Sequence, residues 1–466
     1  MRFPVLRYLH DMKKFALLGH PLAHSLSPLI HQAIFDAVGI KGTYDLIDLA
    51  PEELSGRLPG LLQTYQGLNV TIPHKQAVLP FLTGLSKAAR RCGAVNTIAR
   101  DGKGYNTDTV GFLSNGLPLA GGNILLLGAG GTARMMAFES VAAGANSLTL
   151  YCRTAAKAQA LVSSLQAAFP TSGCQIEIAS TPESLSDSLQ SATVLLNGTP
   201  VGMWPHAGGC PVDPSLLHED LVVFDPVYNP TPTRLLLNTR KKGGIAHGGL
   251  GMLVRQAIAS QGIWNPELQL DSDVLAAAIL PALTRHLLSD HPIKILLIGF
   301  MGSGKSAVGK VLAQKLGIGF VDLDEVLEQE SGTSIPTMFA TVGESGFRAV
   351  ESHTAKRILS RPGSEVVSAG GGLPVFGANR TMIRNTNTLV VALDAPFSTL
   401  WERISTGPAG SRPKANGGEG STEALYHQRR PIYRSFCDYS VESKTSNTPA
   451  QTAELVLQGL GLPSLS

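Results

Sequence analysis

Short apolar runs alternate along nearly the whole chain with segments whose apolar residues recur at helical spacing. Strand-like runs include Phe15–Leu18, Asn123–Leu127, Leu148–Tyr151 and Ile295–Ile298. Each is followed by a turn rich in glycine or polar residues, and then by a segment with helical periodicity. Because strands and helices alternate in this way, the pattern predicts α/β domains with parallel sheets.

The length of the chain predicts more than one domain. It has 466 residues, more than the roughly 250 to 300 at which a single core stops growing. We expect an N-terminal α/β substrate lobe over residues 13–111, completed by about 250–275. A glycine-rich turn at Gly128–Gly131, after a strand, predicts a Rossmann domain over 112–249. A linker over 276–292 follows, and the phosphate-binding loop Gly299–Ser306 then predicts a P-loop NTPase-type parallel α/β domain over 293–466.

Composition excludes several classes of partner. The formal charge is +3 and there is no long basic run, so nothing indicates binding to nucleic acid or to an anionic membrane. The longest apolar stretch, Val274–Leu283, is too short to span a bilayer and contains Pro281. Five scattered cysteines lack metal-ligand spacing, which favours reduced thiols and a cytoplasmic location.

A glycine-rich turn follows the strand Asn123–Leu127. Its residues are Gly128, Ala129, Gly130, Gly131 and Thr132, which match a dinucleotide-binding turn before a helix. A tight turn with no ligand is the alternative. Arg153, Thr154 and Lys157 lie where an NAD enzyme has an acidic residue. Because cationic groups suit a 2′-phosphate, we expect NADP(H) rather than NAD(H), against the alternative of solvated side chains.

A second phosphate-binding loop, Gly299–Ser306, follows the run Ile295–Ile298. This Walker A pattern predicts ATP binding by Gly302, Ser303, Gly304, Lys305, Ser306 and Ala307. Lys305 would reach the phosphates and the Ser306 hydroxyl would bind Mg²⁺. Asp322 and Asp324 stand at alternate positions, so we expect both on one side of a strand end. One would support the metal and the other would accept a hydroxyl proton, unless they simply cap the next helix.

Polar clusters end the strands of the first lobe: Gly19–Pro28, Asn69–Lys75, Gly93–Thr97 and Asn106–Asp108. In order and content these segments resemble shikimate dehydrogenase over about residues 13–275. Three later segments agree: Asn197–Met203, Asp225–Tyr228 and Gly249–Gln256. The resemblance implies NADPH-dependent reduction of 3-dehydroshikimate to shikimate.

The same resemblance implies roles for individual residues. Lys75 and Asp108 would be catalytic, because a Lys–Asp pair can place an ammonium on a developing alkoxide; a surface ion pair is the alternative. Ser25 and Ser27 would bind the substrate carboxylate. The remaining implied ligands are Thr71, Asn96, Asp108 and Gln256 for ring hydroxyls, Tyr228 for the substrate and Gly249 for the nicotinamide.

Residues after the Walker A loop resemble shikimate kinase over about residues 293–460. The segments are Gly343–Arg348 with Glu351, Gly370–Gly372 and Arg429–Tyr433. The resemblance implies that shikimate is bound by Asp324, Arg348, Gly370, Gly371, Gly372 and Arg429. It makes Asp324 the partner of the attacking hydroxyl and Asp322, with Ser306, the support of the metal.

The Gly/Pro/Ser-rich stretch Thr406–Ser421 predicts a mobile loop. Arg412 within it resembles the arginine of the kinase lid, which would lie over the ATP phosphates. The family continues with two leucines, whereas this chain has Lys414 and Ala415.

Both resemblances concern the same substrate oxygen, which is a ketone in one reaction and a phosphoryl acceptor in the other. The hypothesis is a bifunctional enzyme that reduces 3-dehydroshikimate and then phosphorylates shikimate, with small molecules as its partners and with a homodimer possible. The alternative is a quinate/shikimate dehydrogenase with a C-terminal nucleotide-binding regulatory module. Arg153 argues against the NAD preference of that alternative.

Overall fold

The chain forms two compact α/β units in a computed structural model that describes residues 12–22, 25–406, 418–444 and 446–465. The first unit comprises the residues up to Leu283 apart from Asn229–Pro232, and the second begins at Thr284. Within these described residues, four short 3₁₀ turns connect longer elements, at Pro51–Glu53, Leu79–Phe81, Pro214–Leu216 and Leu373–Val375.

The first lobe of the first unit contains a six-stranded sheet. Its strands are β1 (Lys13–Gly19), β2 (Gly42–Asp48), β3 (Gly67–Val70), β4 (Gly84–Leu85), β5 (Thr97–Ala99) and β6 (Lys103–Tyr105). Its helices are α1 (Ser27–Val38), α2 (Leu54–Thr64), α3 (Lys87–Cys92) and α4 (Asp108–Leu113). The order is β2-β1-β3-β5-β6-β4. The expectation of a fully parallel sheet is wrong here, because β5 runs antiparallel to β3 and β6.

The second part of this unit is a six-stranded sheet covered by helices. Its strands are β7 (Asn123–Leu127), β8 (Ser147–Tyr151), β9 (Gln175–Ala179), β10 (Val194–Asn197), β11 (Val222–Asp225) and β12 (Ile245–Gly248). Its helices are α5 (Gly131–Ala142), α6 (Ala155–Ala168), α7 (Pro182–Ser191) and α8 (Arg234–Lys241). All neighbouring strands are parallel in the order β12-β11-β10-β7-β8-β9. This is the doubly wound order of dinucleotide-binding domains.

Helix α9 (Gly249–Trp264) packs against α1, α4 and β5 of the first lobe. At its end the Trp264 ring stacks on Phe15 of β1, with ring centroids 4.9 Å apart. The indole Nε1 of Trp264 donates to the Ile98 carbonyl of β5 at 3.0 Å. The core of the first lobe is therefore closed by a residue far along the chain.

Helix α10 (Ser272–Asp290) covers most of the segment predicted as a linker. Leu275, Ile279, Leu283 and Leu287 recur every four residues and are buried, a spacing that places them on one helical face. That periodicity favours a helix despite Pro281 within it. No described helix combines the length and apolar character that crossing a bilayer requires.

The second unit has a five-stranded parallel sheet. Its strands are β13 (Lys294–Ile298), β14 (Gly319–Asp322), β15 (Glu365–Ser368), β16 (Thr388–Asp394) and β17 (Tyr439–Glu442) in the order β14-β15-β13-β16-β17. Its helices are α11 (Lys305–Leu316), α12 (Leu323–Ser331), α13 (Ile335–Ser360), α14 (Gly377–Arg384), α15 (Phe397–Ser405), α16 (Glu419–Phe436) and α17 (Pro449–Leu460). The central strand β13 is wholly buried and ends at the Walker A loop.

Candidate active sites

A cavity of about 540 Å³ lies within the first unit where the carboxyl ends of β1 and β3 meet the cofactor-binding part. The predicted residues that line it are Ser25, Ser27, Thr71, Lys75, Asn96, Asp108, Thr132, Tyr228, Gly249 and Gln256. The structure thus brings the predicted catalytic pair and all the predicted dehydrogenase substrate ligands to one cavity.

The Lys75–Asp108 pair forms the chemical centre of this cavity. The Lys75 Nζ lies 2.6 Å from Asp108 Oδ2, and both side chains are about one-fifth exposed. The Asn96 Nδ2 donates to the other Asp108 oxygen at 2.9 Å, and Asn96 Oδ1 accepts from the Thr107 backbone N–H at 2.7 Å. Because the backbone fixes the amide orientation, Asp108 is held from both sides and the ammonium is fixed at the cavity wall. An ammonium so placed can donate to an oxygen that gains charge.

A buried polar cluster that the sequence did not predict lies behind this pair. Asn69 Nδ2 donates to the Asn96 carbonyl at 3.1 Å and to Ser260 Oγ at 3.0 Å. Ser260 Oγ lies 3.1 Å from Thr107 Oγ1, which also donates to Gln256 Oε1 at 3.4 Å. All five side chains are buried. The cluster ties the amides of Asn96 and Gln256 to one scaffold, since buried polar groups keep their partners.

The buried carboxylate of Asp225, at the end of β11, supports another wall. Its oxygens accept from Asn197 Nδ2 at 2.9 Å, Thr233 Oγ1 at 2.7 Å and the Val227 N–H at 3.1 Å. Burial raises the pKa of Asp225, against the effect of these hydrogen bonds. The carboxylate fixes the loop that carries Tyr228 to the cavity.

The start of α9 packs against the same loop. A Cβ on Gly249 would lie 2.0 Å from the Pro226 carbonyl oxygen, which is much closer than van der Waals contact. The backbone at Pro226 would have to shift to make room for it. Only glycine therefore allows α9 to begin beside the cavity.

The first glycine turn has room and donors for a phosphate. It joins β7 to α5, and no side chain of the described residues caps the first turn of α5 at Gly130. A Cβ at Gly130 or Gly131 would meet nothing within 4 Å, so the helix N-terminus is open to a ligand and fits a pyrophosphate. Arg153, Thr154 and Lys157 follow β8 and are exposed. Their position fits an additional phosphate on the ribose.

The Walker A loop of the second unit joins β13 to α11. Lys305 Nζ donates to the carbonyls of Gly299 and Phe300 at 3.1 and 3.2 Å, so the ammonium lies over its own loop. Ser306 Oγ donates to Asp322 Oδ2 at 2.5 Å. The described residues contain no group of three or more His, Cys, Asp or Glu side chains fit to hold a metal. A hydroxyl with one carboxylate nevertheless fits Mg²⁺, which takes few protein ligands beside phosphates and water.

The prediction that Asp322 and Asp324 both lie at the end of one strand is wrong. Strand β14 stops at Asp322, whose Oδ1 accepts from the Asp324 N–H at 3.1 Å and caps α12. Asp324 thus belongs to the first helical turn. The alternative reading as a helix cap is correct for Asp322, which also contacts Ser306. Burial, with the charges of Asp322 and Glu351, raises the pKa of Asp324 to about 6.

Arg348, one of the predicted kinase ligands, is buried among charged and aromatic side chains. Its Nη1 donates to Glu351 Oε2 at 2.6 Å. The guanidinium lies over three rings, with its Cζ 5.1 to 5.9 Å from their centroids: Phe339, Phe347 and Phe376. A Cβ on Gly372 would lie 2.3 Å from the Arg348 Cζ. Glu351 is almost wholly buried, and burial raises its pKa.

The other kinase ligands gather around the same place. A Cβ on Gly370 would lie 3.0 Å from Asp324 Oδ1 and 2.6 Å from Glu351 Oε1. Tyr433, whose pKa burial raises to about 12 against the effect of the nearby charge of Arg429, donates its hydroxyl to the Gly371 carbonyl at 2.6 Å. Arg429 is buried. Two guanidinium groups therefore border a site with Asp324 and the glycine turn.

Two predictions concern residues that lie wholly or mostly outside the part of the chain that the structure describes. Arg412, with Lys414 and Ala415, lies outside the described residues. Most of the predicted loop Thr406–Ser421 lies there as well, but Glu419–Ser421 already belong to α16.

Comparisons with known families match both parts of the chain. The family model "Shikimate dehydrogenase substrate binding domain" matches residues 17–98, and the model "Shikimate kinase" matches residues 301–460. The shikimate dehydrogenase (NADP(+)) of Moorella thermoacetica is 39% identical over 258 residues, covering 54% of this chain and 87% of the relative. That of Methanothermobacter thermautotrophicus is 38% identical over 272 residues, covering 56% and 94%.

Solved structures match the first unit. The shikimate 5-dehydrogenase of Thermus thermophilus, in complex with NADP(H) and shikimate, superposes with a TM-score of 0.51 and 34% identity, covering 57% of this chain and 98% of that one. A chorismate mutase/shikimate 5-dehydrogenase fusion protein from Clostridium acetobutylicum gives a TM-score of 0.53 and 32% identity, covering 60% and 100%.

Proposed function

We propose that this protein catalyses two consecutive steps on one substrate, since the chain belongs to the shikimate dehydrogenase family and carries a shikimate kinase domain over residues 301–460. It is a bifunctional shikimate-pathway enzyme, both an oxidoreductase and a phosphotransferase. The first unit would reduce 3-dehydroshikimate to shikimate with NADPH, and the second would phosphorylate shikimate with ATP. The observation that carries the proposal is the meeting of Lys75, Asp108 and the predicted ligands in one cavity.

In the first unit the protein would orient the substrate and manage one proton. NADPH, when bound, supplies the hydride. Ser25 and Ser27 would hold the carboxylate, while Asn96 and Gln256 read ring hydroxyls. Lys75, fixed by Asp108 at 2.6 Å, would donate to the carbonyl oxygen as it becomes an alkoxide.

In the second unit Arg348 and Arg429 would pair with the shikimate carboxylate, because guanidinium groups suit that geometry. Asp324, when ionised, would accept the proton of the attacking hydroxyl, and Lys305 would hold the phosphates of ATP. We propose Mg²⁺ at Ser306 and Asp322, where it would neutralise phosphate charge. Arg412 keeps its predicted place over the phosphates as part of this proposal.

Several coarser proposals accompany this function. The boundaries 13–111, 112–249, 276–292 and 293–466 remain predictions. All five cysteines are free thiols, which supports a cytoplasmic location. A homodimer remains a proposal that sedimentation would test.

The proposed sequence of reactions is tested in one reaction vessel. The protein is given 3-dehydroshikimate, NADPH and MgATP, and products are followed by mass spectrometry. We expect shikimate 3-phosphate. Shikimate that accumulates without ADP release would refute the kinase proposal and favour a regulatory nucleotide-binding module.

Two substitutions separate the halves. Lys305→Ala should stop the reaction at shikimate, whereas Lys75→Ala should leave 3-dehydroshikimate almost unchanged but still phosphorylate added shikimate. Lys310→Ala, an exposed position on the same helix as Lys305, and Lys87→Ala, exposed on α3, are the matched controls and should complete both steps.

A further inference from the structure

Near the predicted carboxylate-binding serines, the cavity has a histidine to which neither motif assigns a role. His20 follows β1 and lines the cavity beside Ser25 and Ser27. Its backbone N–H donates to the Ile72 carbonyl at 3.0 Å, which fixes the residue between the ends of β1 and β3. The side chain is half-exposed, so a ligand in the cavity can reach it.

Asp48, at the end of β2, fixes both the imidazole and the turn that carries the serines. The Asp48 Oδ1 lies 2.6 Å from His20 Nδ1, and its Oδ2 accepts from the Leu22 N–H at 3.1 Å. The Leu22 carbonyl accepts in turn from the Ser25 N–H at 3.2 Å, and Ser25 Oγ accepts from the Ser27 N–H at 3.3 Å. The hydrogen bond from His20 holds the pKa of Asp48 below its usual value. One carboxylate therefore sets the position of His20 relative to both serines.

The charges of the cavity leave a role for this imidazole. Among the described lining residues, His20 and Lys75 are the basic side chains, and the ammonium of Lys75 is engaged by Asp108 at 2.6 Å. Without His20, the predicted binding site for the substrate carboxylate would consist of two serine hydroxyls and no cation. Hydrogen bonds that involve an ionised group are stronger than neutral ones.

We infer that His20, oriented by Asp48 through Nδ1, is a specificity-determining residue that donates from Nε2 to the carboxylate of the dehydrogenase substrate. The inference rests on the proposed function of the first unit and names a third group for the carboxylate. Both ring nitrogens donate together only in the imidazolium form. The other charged groups that face this region from neighbouring elements are Asp48 of β2, Lys75 after β3 and Asp108 of α4.

The test compares shikimate with its methyl ester as substrates for oxidation by NADP⁺. Wild-type turnover of shikimate is measured first, and its absence would refute the proposed function rather than this inference. His20→Phe keeps a ring of similar shape without nitrogen atoms. We expect the ratio of kcat/KM for acid over ester to fall about three- to tenfold, the range for a half-exposed charged hydrogen bond. The kcat/KM for the ester, whose neutral oxygen accepts a weaker hydrogen bond, should fall by less than that for the acid.

Asp48→Asn, which retains an acceptor but removes the charge, should lower the same ratio by a smaller factor. His286→Phe is the matched control, because His286 and Asp290 form another exposed His–Asp pair, with 3.1 Å between Nε2 and Oδ2, on helix α10. Acid and ester activities that decline equally in His20→Phe, or a ratio that does not change, would overturn the inference.

Discussion

A methyl group added at Gly372 should impair the kinase reaction alone. The added Cβ would lie 2.3 Å from the Arg348 Cζ, whereas carbon atoms are comfortable at about 3.5 to 4.0 Å. The guanidinium must therefore retreat by more than about 1 Å. Arg348 is buried and bound to Glu351 at 2.6 Å, so it cannot move without losing that contact or its position for the substrate.

The magnitude follows from the contact that is lost. A hydrogen bond to a charged group contributes about 1.5 to 3 kcal/mol, which corresponds to a loss of about 10- to 150-fold. We expect Gly372→Ala to lower kcat/KM for shikimate by that factor in an ADP-release assay. Dehydrogenase activity in the same sample provides an internal standard and should not change.

Two other glycines calibrate the result. A Cβ on Gly371 would meet its nearest neighbour at 3.5 Å, and one on Gly377 would meet only the end of Arg380 at 3.7 Å. Gly371→Ala should therefore have a smaller effect than Gly372→Ala, and Gly377→Ala should have almost none. If Gly372→Ala retains the kinase activity of Gly377→Ala, Arg348 does not hold the substrate as proposed.

Three further outcomes are expected. The ionised form of Asp324 is needed as a base and its pKa lies at about 6 in the folded chain, so kinase kcat/KM should fall as the pH is lowered through about 6. Because this pKa is raised above its usual 3.8, the ionised carboxylate destabilises the folded chain above about pH 6, and the group does not affect stability below pH 3.8. A flat profile of kcat/KM would contradict the role of Asp324. Arg153→Ala should raise the KM for NADP⁺ about tenfold or more and leave that for NAD⁺ unchanged, and equal effects on both cofactors would show that Arg153 does not contact the 2′-phosphate. Gly249→Ala, whose Cβ would lie 2.0 Å from the Pro226 oxygen, should abolish dehydrogenase activity and cost about 1 to 3 kcal/mol of unfolding free energy, whereas Gly251→Ala, which meets only the end of Arg255 at 3.3 Å, should do neither.

Local sequence predicted the strand–turn–helix segments that are proposed to bind phosphate. In β7 with α5, and in β13 with α11, a buried apolar strand, a glycine turn and a helix follow one another without interruption. Both units could be identified because such a segment contains its own strand, turn and helix start. The families then implied which polar residues would meet, and Lys75 and Asp108 do so across 33 positions.

Tertiary contacts explain what the sequence did not show. The short strand β5 reverses direction after β3, which no hydrophobic period records. Asp322 and Asp324 belong to different elements because α12 begins one residue after Asp322, whose carboxylate accepts from the Asp324 N–H and caps the helix. The contacts of Asn69 with Ser260 and of His20 with Asp48 join residues distant in the chain, so no local pattern could reveal them.

The placement of Trp264 has a consequence for synthesis of the chain on the ribosome. The strands of the first lobe are complete at Tyr105, but the indole that packs on Phe15 belongs to a helix that begins at Gly249. At roughly 5 to 20 residues per second, translation of the intervening segment takes on the order of ten seconds. During that time the face of Phe15 that Trp264 covers in the folded protein stays uncovered, although Phe35 can already pack against the ring. The cofactor-binding part can therefore fold before the lobe that precedes it in the sequence is closed.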